Sequence, residues 1–423
     1  MLIIDFLIAL QTILLLAVFA VDFIKKPFYS IPTPNHIFLA CYIFVYYIPL
    51  ISFYLEISGG FSIAFYSLSE GEIYKLLIFL NLFLLSYLIF IAIFNNYRRQ
   101  NNASYKVDFS ISEVRLLVLV CVTFVIKYFY LAVGLGFNPF NVLDRLLNPR
   151  EYTYIKIGTG YINYLHSAFL HVLLFSTTLF FYVNKFKIRH LIFYLLCFFL
   201  VFMGGGKQNF LWLVFYLIVV NRFFELPATR NLSYLWRNLR FAMTALFVLL
   251  VSFVVLQGDS IVNRSIFEVY IDYQREAYYS AKVLTDFDFK FEYLYYGIYS
   301  TVFAIVPRAV WSEKPLLGFY NEYWRPLYEP STVSYHSSTY GFASESYMMF
   351  GLFGALIYGF LFALYINFIN NLMHYKPNVS KIFIAGISLI LVYFFLRGGF
   401  FGFTFWYFLI LVLIGTFLLR LRF

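Results

Sequence analysis

Long apolar runs, nearly free of charge and repeated from one end of the chain to the other, constrain this sequence more than any other feature. They lie near 2–24, 36–57, 73–94, 114–135, 161–183, 191–203, 209–221, 241–257, 343–372, 382–396 and 401–419. A helix of ~20 apolar residues covers the ~30 Å hydrocarbon layer of a bilayer, and only helices and closed barrels satisfy their backbone groups there. The composition agrees: 423 residues are 62% hydrophobic and only 12% charged, with a mean hydropathy of +0.78. No soluble core needs that much apolar surface. The expected fold is all-α, a polytopic integral membrane helix bundle of about eleven spans, forming a single transmembrane domain over 1–423. The first run lacks a small-residue cleavage site and is followed by Lys25-Lys26, so it reads as a span rather than a cleaved signal. Cys41, Cys121 and Cys197 all sit inside apolar runs, a pattern of free core thiols without disulfide or metal spacing.

The net charge of +10 matters through its placement. With Lys25-Lys26 in the cytoplasm, alternate loops inside hold Arg98, Arg99, Lys106, Lys185, Lys187, Arg189, Arg222, Arg230, Arg237, Arg240, Lys376, Lys381, Arg420 and Arg422. That bias predicts an outer N-terminus and a cytoplasmic C-terminus. Arg145, Arg150, Lys156, Lys207, Arg264, Arg275, Arg308, Lys314, Arg325 and Arg397 then fall on the outer face, against the usual bias. Lys207 and Arg397 occupy short outer turns, where they read either as snorkelling anchors or as functional cations. The runs 191–203 and 209–221 are short, about 20 Å of helix each. They read either as a hairpin whose Gly204-Gly205-Gly206-Lys207 tip stops below the surface or as two tilted helices.

One long aromatic and charged segment, 258–342, interrupts the spans and is expected on the outer, periplasmic side, with short helices inside it. Long loops are commonly functional. Asp259–Lys290 reads as polar, partly helical surface structure, and Tyr293–Val306 as an interfacial or re-entrant helix ending at Pro307. Arg308 and Lys314 lie in a stretch stiffened by Pro307 and Pro315, with Trp311 between them and Trp324 and Arg325 beyond. A guanidinium grips phosphate oxygens bidentately and a lysine adds a point charge; the competing reading is an aromatic headgroup belt. His336 and Glu345 flank the return to the membrane and are the candidate proton carriers, although a carboxylate near a helix start is also simply stabilising. Gly351 and Gly354, read on the same helix as Glu345, permit close helix packing. His166 and His171 are five apart on a span and read as core residues. Lys127, inside another span, reads as snorkelled or paired. No metal-ligand spacing, P-loop or dinucleotide fingerprint occurs, which argues against ATP-driven or metal-dependent chemistry; no cofactor or nucleic-acid partner is expected. Cations, stacking aromatics and proton carriers together suggest work on an anionic, lipid-linked glycan.

The order Pro307-Arg308…Trp311…Lys314-Pro315, then Gly341…Glu345-Ser346-Tyr347…Phe350-Gly351…Gly354, then Arg397-Gly398-Gly399 resembles the bacterial oligosaccharide repeat-unit polymerases, the O-antigen polymerases (Wzy). The layout of nearly the whole chain is similar, and the residue match concentrates in 300–400. That family's two outer loops carry an arginine followed by glycine with about ten residues between. Here Arg150 to Gly160 and Arg308 to Gly318 have nine, a departure from the pattern. His336 before a glycine-containing helix also resembles the related O-antigen ligases, so ligase and lipid-linked-oligosaccharide flippase stay open as alternatives. The resemblance implies a GT-C-like membrane glycosyltransferase of the bacterial inner membrane acting at the periplasmic face. Its implied substrate is undecaprenyl-pyrophosphate-linked oligosaccharide, with membrane lipid around it and a chain-length-regulating polysaccharide co-polymerase as protein partner. Catalysis would rest on Glu345, His336 and Arg308. Pyrophosphate and glycan would meet Arg150, Lys207, Arg264, Arg275, Arg308, Lys314, Arg325, Arg397, Trp311 and Trp324.

Overall fold

The structure, a computed structural model, describes residues 2–21, 33–57, 67–96, 112–135, 137–147, 160–183, 191–202, 212, 215–216, 219–220, 270, 274–303, 306, 311, 340–374, 378–401 and 403–420. Among the described residues there are helices and no strands. Six helices are long and apolar enough to cross a membrane: Leu2–Val21, Pro34–Ile57, Glu70–Phe94, Glu113–Val133, Phe353–Met373 and Val379–Gly398. Shorter apolar helices cover Leu165–Phe180 and Phe408–Arg420. Of the eleven expected spans, 241–257 and most of 209–221 lie outside the described residues.

In chain order the helices are α1 (Leu2–Val21), α2 (Pro34–Ile57), α3 (Glu70–Asn96), α4 (Glu113–Gly134), α5 (Pro139–Leu147), α6 (Gly160–Val183), α7 (Leu191–Phe202), α8 (Glu276–Asp286), α9 (Phe291–Phe303), α10 (Gly341–Phe350), α11 (Phe353–His374), α12 (Val379–Gly398) and α13 (Phe403–Arg420). Two compact units share the chain. One comprises Met1–Gln100, Asp259–Asn371 and Leu391–Trp406; the other comprises Asn101–Gly258, Leu372–Ile390 and Tyr407–Phe423.

The first unit is built on aromatic packing tied by buried hydrogen bonds. Phe38 and Tyr42 of α2 meet Phe83 of α3, which also touches Phe342 of α10 and Phe362 of α11. With no water in hydrocarbon, polar side chains must find partners inside the bundle. Asn35 accordingly donates to the Val18 carbonyl at 2.9 Å and accepts from Tyr87 at 2.7 Å, and Ser86 donates to Leu356 at 2.7 Å. α2 starts at a Thr33 cap with Pro34 in its first turn, where the missing N–H costs nothing. It carries a π-helical turn at Ile43–Tyr47, the kind of widened turn that re-aims a side chain.

Two expectations change here. The single span read over 343–372 is broken into α10 and α11 at Gly351, whose φ of +61° is a left-handed conformation suited to glycine. Gly351 therefore ends a helix rather than packing one, and at Gly354 a Cβ would run into the Ser346 carbonyl of the preceding helix. The polar surface structure read over Asp259–Lys290 contains α8, which is buried against α3 and α10. Ala277, Ser280, Ala281 and Leu284 follow a three-to-four-residue spacing of mostly small side chains, which lets neighbouring helices approach closely. The helix α9 appears where Tyr293–Val306 was expected to be helical. The short helix α5, begun by Asn138, whose side-chain oxygen accepts from the Phe140 N–H at 3.0 Å, was not anticipated.

In the second unit, α4 packs along α6, and α6 against α7. Leu116, Phe180 and Phe193 form one apolar cluster there, and Thr177 and the Cys197 thiol lie 3.3 Å apart.

Candidate functional site

The densest buried chemistry of the first unit lies where α8, α10, α11 and the end of α12 meet the π-helical turn of α2. Glu276 opens α8 and Arg397 lies in the last turn of α12. Each helix terminus favours the charge placed on it, and the two charges meet with Arg397 Nε 2.5 Å from Glu276 Oε1. Glu276 is fully buried and Arg397 nearly so. Tyr393, one turn earlier on α12, accepts from Arg397 Nη1 at 3.3 Å and from Gln274 Nε2 at 3.2 Å; the guanidinium also sits 5.4 Å from the Tyr393 ring centre.

A second strand of hydrogen bonds starts at Tyr46, which the π-helical turn directs inward. Its hydroxyl donates to the Leu396 carbonyl at 3.4 Å and accepts from Ala343 N–H at 3.5 Å. Ser280 and Ser344 both donate to the Tyr340 carbonyl, at 3.0 and 2.6 Å. Tyr340 immediately precedes α10, so four elements hold the point where the chain emerges from 312–339.

Glu345 sits inside α10 at 1% exposure. Its carboxylate accepts from the Tyr358 hydroxyl of α11 and from the backbone N–H groups of Phe400 and Phe401 at 2.7 and 3.2 Å. Gly399 makes this possible: its φ is +82°, and a Cβ there would collide with the Glu345 carboxylate. A carboxylate gathering several donors is stabilised as the anion. Here it fastens the Gly398–Phe401 turn, two residues beyond Arg397. At the rim of the unit, Lys282 of α8 pairs with Glu72 of α3 at 2.6 Å. Burial works against the Lys282 charge, but the hydrogen bond and charge of Glu72 outweigh it and hold its pKa above the usual lysine range.

Beyond this layer, α9 carries an aromatic ladder. Tyr295 stacks on Tyr299 with centres 5.7 Å apart, Tyr299 meets Phe303 at 4.6 Å, and Trp311 sets its edge against both Tyr299 and Phe303. Tyr295 is largely exposed.

Of the residues singled out in the sequence, the structure brings Glu345 and Arg397 to the same buried layer. Arg275 occupies the N-cap position of α8 beside Glu276, and Trp311 joins the α9 ladder. Arg150, Lys207, Arg264, Arg308, Lys314, Trp324, Arg325 and His336 lie outside the described residues. Sequence reasoning missed Glu276, Gln274, Tyr46, Tyr358 and Tyr393. The small-residue spacing of α8 was the available signal, since it marks a buried helix whose first residue, the acidic Glu276, must find a cation. Among the described residues no group of His, Cys, Asp and Glu could hold a metal ion. Comparison with family models, with characterised proteins and with solved structures finds no significant match to this chain.

Proposed function

We propose that this chain is a membrane glycan polymerase that moves a growing oligosaccharide from undecaprenyl pyrophosphate onto the next lipid-linked repeat unit at the periplasmic face of the inner membrane. The observation that carries the reading is the buried layer around Glu345, Glu276 and Arg397. It anchors, through α8 and through Tyr340, the two ends of the segment that bears Arg308, Lys314, Arg325 and His336. A cation- and aromatic-rich stretch of sequence between two buried anchors suits a reaction that depends on positioning and charge stabilisation rather than on a cofactor.

In this reading the acceptor sugar hydroxyl attacks C1 of the donor glycan. A new C1–O bond forms, the bond from C1 to the pyrophosphate oxygen breaks, and undecaprenyl pyrophosphate departs with the electron pair. Arg308 and Lys314, with Arg264 and Arg325, hold the departing charge. The proton of the acceptor hydroxyl passes to His336. Glu345, whose Oε1 already accepts from Tyr358, Phe400 and Phe401, serves as a positioning residue. Arg397, held by Glu276, sets the shape of the same turn. The α9 ladder of Tyr295, Tyr299 and Trp311 gives sugars faces to stack on.

The test is reconstitution of the purified chain with undecaprenyl-pyrophosphate-linked repeat units. A ladder of lengthening glycans is expected. Transfer to lipid A–core without lengthening would make it a ligase, and inward-to-outward movement without transfer a flippase; either overturns the reading. In the same assay Arg308→Ala should abolish the ladder and Arg308→Lys should restore little of it, because a point charge does not reproduce a bidentate grip.

A further inference from the structure

We propose that α5 lies in the plane of the membrane and docks on the bilayer itself, with Phe137, Phe140 and Leu143 set at the boundary between headgroups and acyl chains. The inference stands apart from the glycan-transfer reading, because it uses none of the residues invoked there. Two lengths locate the helix. α4 has 22 residues and rises about 33 Å, enough to take up the ~30 Å of hydrocarbon. Its end at Gly134 therefore stands at one membrane surface. α5 begins shortly afterwards at Pro139, and its 9 residues rise only about 13 Å, too little for a second crossing.

The faces of α5 then sort by register. Going round the helix at about 100° per residue, Val142 comes first, then Leu143 and Phe140, then Asp144 and Asn141. Val142 is buried in the unit, whereas Phe140 is 81% and Leu143 55% exposed; Asp144 and Asn141 are exposed as well. Protein on one side, an apolar strip beside it and a polar strip beyond is the order an interfacial helix needs, with lipid under the apolar strip and water over the polar one. The apolar strip also continues a lipid-facing surface. The Phe137 ring, itself exposed, meets Phe129 of α4 edge-on with centres 6.3 Å apart. Phe129 and Val125, about one turn apart on that span, are also exposed, so this side of α4 meets acyl chains. By helix rise Phe129 stands about 7 Å before the end of α4. That matches the ~5–10 Å at which interfacial helices seat their apolar faces.

The turn between the two helices is built for the ring. Phe137 has φ +59°, in the left-handed region where glycine is at ease. A glycine, Gly136, stands immediately before it, yet the strained position carries a bulky side chain. Its N–H donates to the Ala132 carbonyl at 2.9 Å, and the Asn138 side chain accepts from Phe140 N–H at 3.0 Å, so the chain is held on both sides of Phe137. A non-glycine residue kept in this region by its surroundings points to a role for the side chain. Seating an aromatic ring in the interface is such a role. The charges of Asp144 and Arg145 cancel in the sequence of α5, so the docking is apolar and zwitterionic lipid suffices.

Spin labels on the full chain in phosphatidylcholine nanodiscs test this one site at a time, with Cys41 and Cys121 changed to Ser and Cys197 to Ala. Labels on Phe140→Cys and Leu143→Cys should meet dissolved oxygen more than a water-soluble nickel chelate, at a depth of about 5–10 Å below the phosphates. Labels on Asn141→Cys and Asp144→Cys should show the reverse preference. Phe137→Gly relieves the backbone but removes the ring, and should bring the Leu143→Cys label nearer to water. Where the chain without its own cysteines does not fold, Phe140→Trp as the only change gives the same reading. Its added fluorescence should be quenched by lipids brominated high on the acyl chain and not by iodide. Nickel chelate reaching positions 140 and 143 as freely as 141 and 144, or iodide quenching the added tryptophan, would mean that the strip is wet. Neither oxygen nor chelate reaching them would mean that a second copy or another protein covers it. Any of these results, or an unchanged label depth in Phe137→Gly, overturns the proposal.

Discussion

Arg397 and Glu276 form a buried ion pair at the place where the sequence alone suggests a substrate cation. An arginine in a Gly-rich outer turn reads from sequence as a pyrophosphate ligand, yet its Nε is held 2.5 Å from a fully buried carboxylate. Removing one member of such a pair strands the other charge, at a cost of about 3–5 kcal/mol, while replacing both by apolar groups of similar volume is often neutral. Arg397→Met should therefore lower the thermal unfolding temperature in detergent sharply, and Arg397→Met with Glu276→Leu should recover most of it. If the double variant folds and still polymerises, Arg397 is not a pyrophosphate ligand; if it folds and is dead, Arg397 meets substrate as well. Glu345 poses the same question for the proton. A general base typically supplies 10²–10⁴-fold in rate, roughly, and its titration sets the low-pH limb of kcat/KM. As a positioning residue, Glu345 in the Gln form should reduce kcat and thermal stability while leaving that limb in place. Loss of the limb in Glu345→Gln would return the base to Glu345 and take it from His336.

At the scale of elements, the junction between α10 and α11 is the clearest departure from what hydropathy suggests. The sequence over 343–372 is uniformly apolar enough to read as one span, but Gly351 adopts φ +61° and ends α10 there. A side chain in the left-handed region costs about 1–3 kcal/mol outside glycine and asparagine, so Gly351→Ala should destabilise the fold by about that amount in thermal unfolding. Gly71→Ala is the matched control. It lies in the first turn of α3 with open space around it, and gaining alanine in a helix should stabilise by about 0.5–1 kcal/mol. Equal responses at the two glycines would mean that the break at Gly351 is not fixed by its backbone. Helices such as α1, α3, α4 and α12 were legible because each is a continuous apolar run bounded by charge. The burial of α8 was not, because Glu276, Ser280 and Lys282 give it a polar composition, and their partners Arg397, Tyr340 and Glu72 lie 121, 60 and 210 residues away in sequence. The candidate site was legible in the same partial way. Glu345 and Arg397 stood out as ionisable groups in an apolar setting, while Tyr46 and Tyr358 were hidden among 39 tyrosines.

For the whole molecule, the break at Gly351 bears on which side of the membrane each loop occupies. With ten residues, α10 is about 15 Å long by helix rise and too short to cross ~30 Å of hydrocarbon. With α11 as the one candidate span between them, residues before Tyr340 and residues 375–377 are expected on opposite sides. The proposed topology, argued from the charge bias, has Lys376 in the cytoplasm and 258–340 outside. Asn378 is a poor place to probe this, because its side chain accepts from Lys381 N–H at 2.8 Å at the start of α12, and losing such a cap costs about 1 kcal/mol. Lys376→Cys and Ser331→Cys are the better pair. In intact cells an impermeant thiol reagent should modify Ser331→Cys and leave Lys376→Cys untouched until the membrane is opened. The reverse pattern inverts the topology and removes His336 and Arg308 from the face where the glycan substrate is proposed to arrive. Modification of both would mean that α10 and α11 together cross twice, which the length of α10 forbids unless the bilayer thins around it or the chain departs there from the described helices.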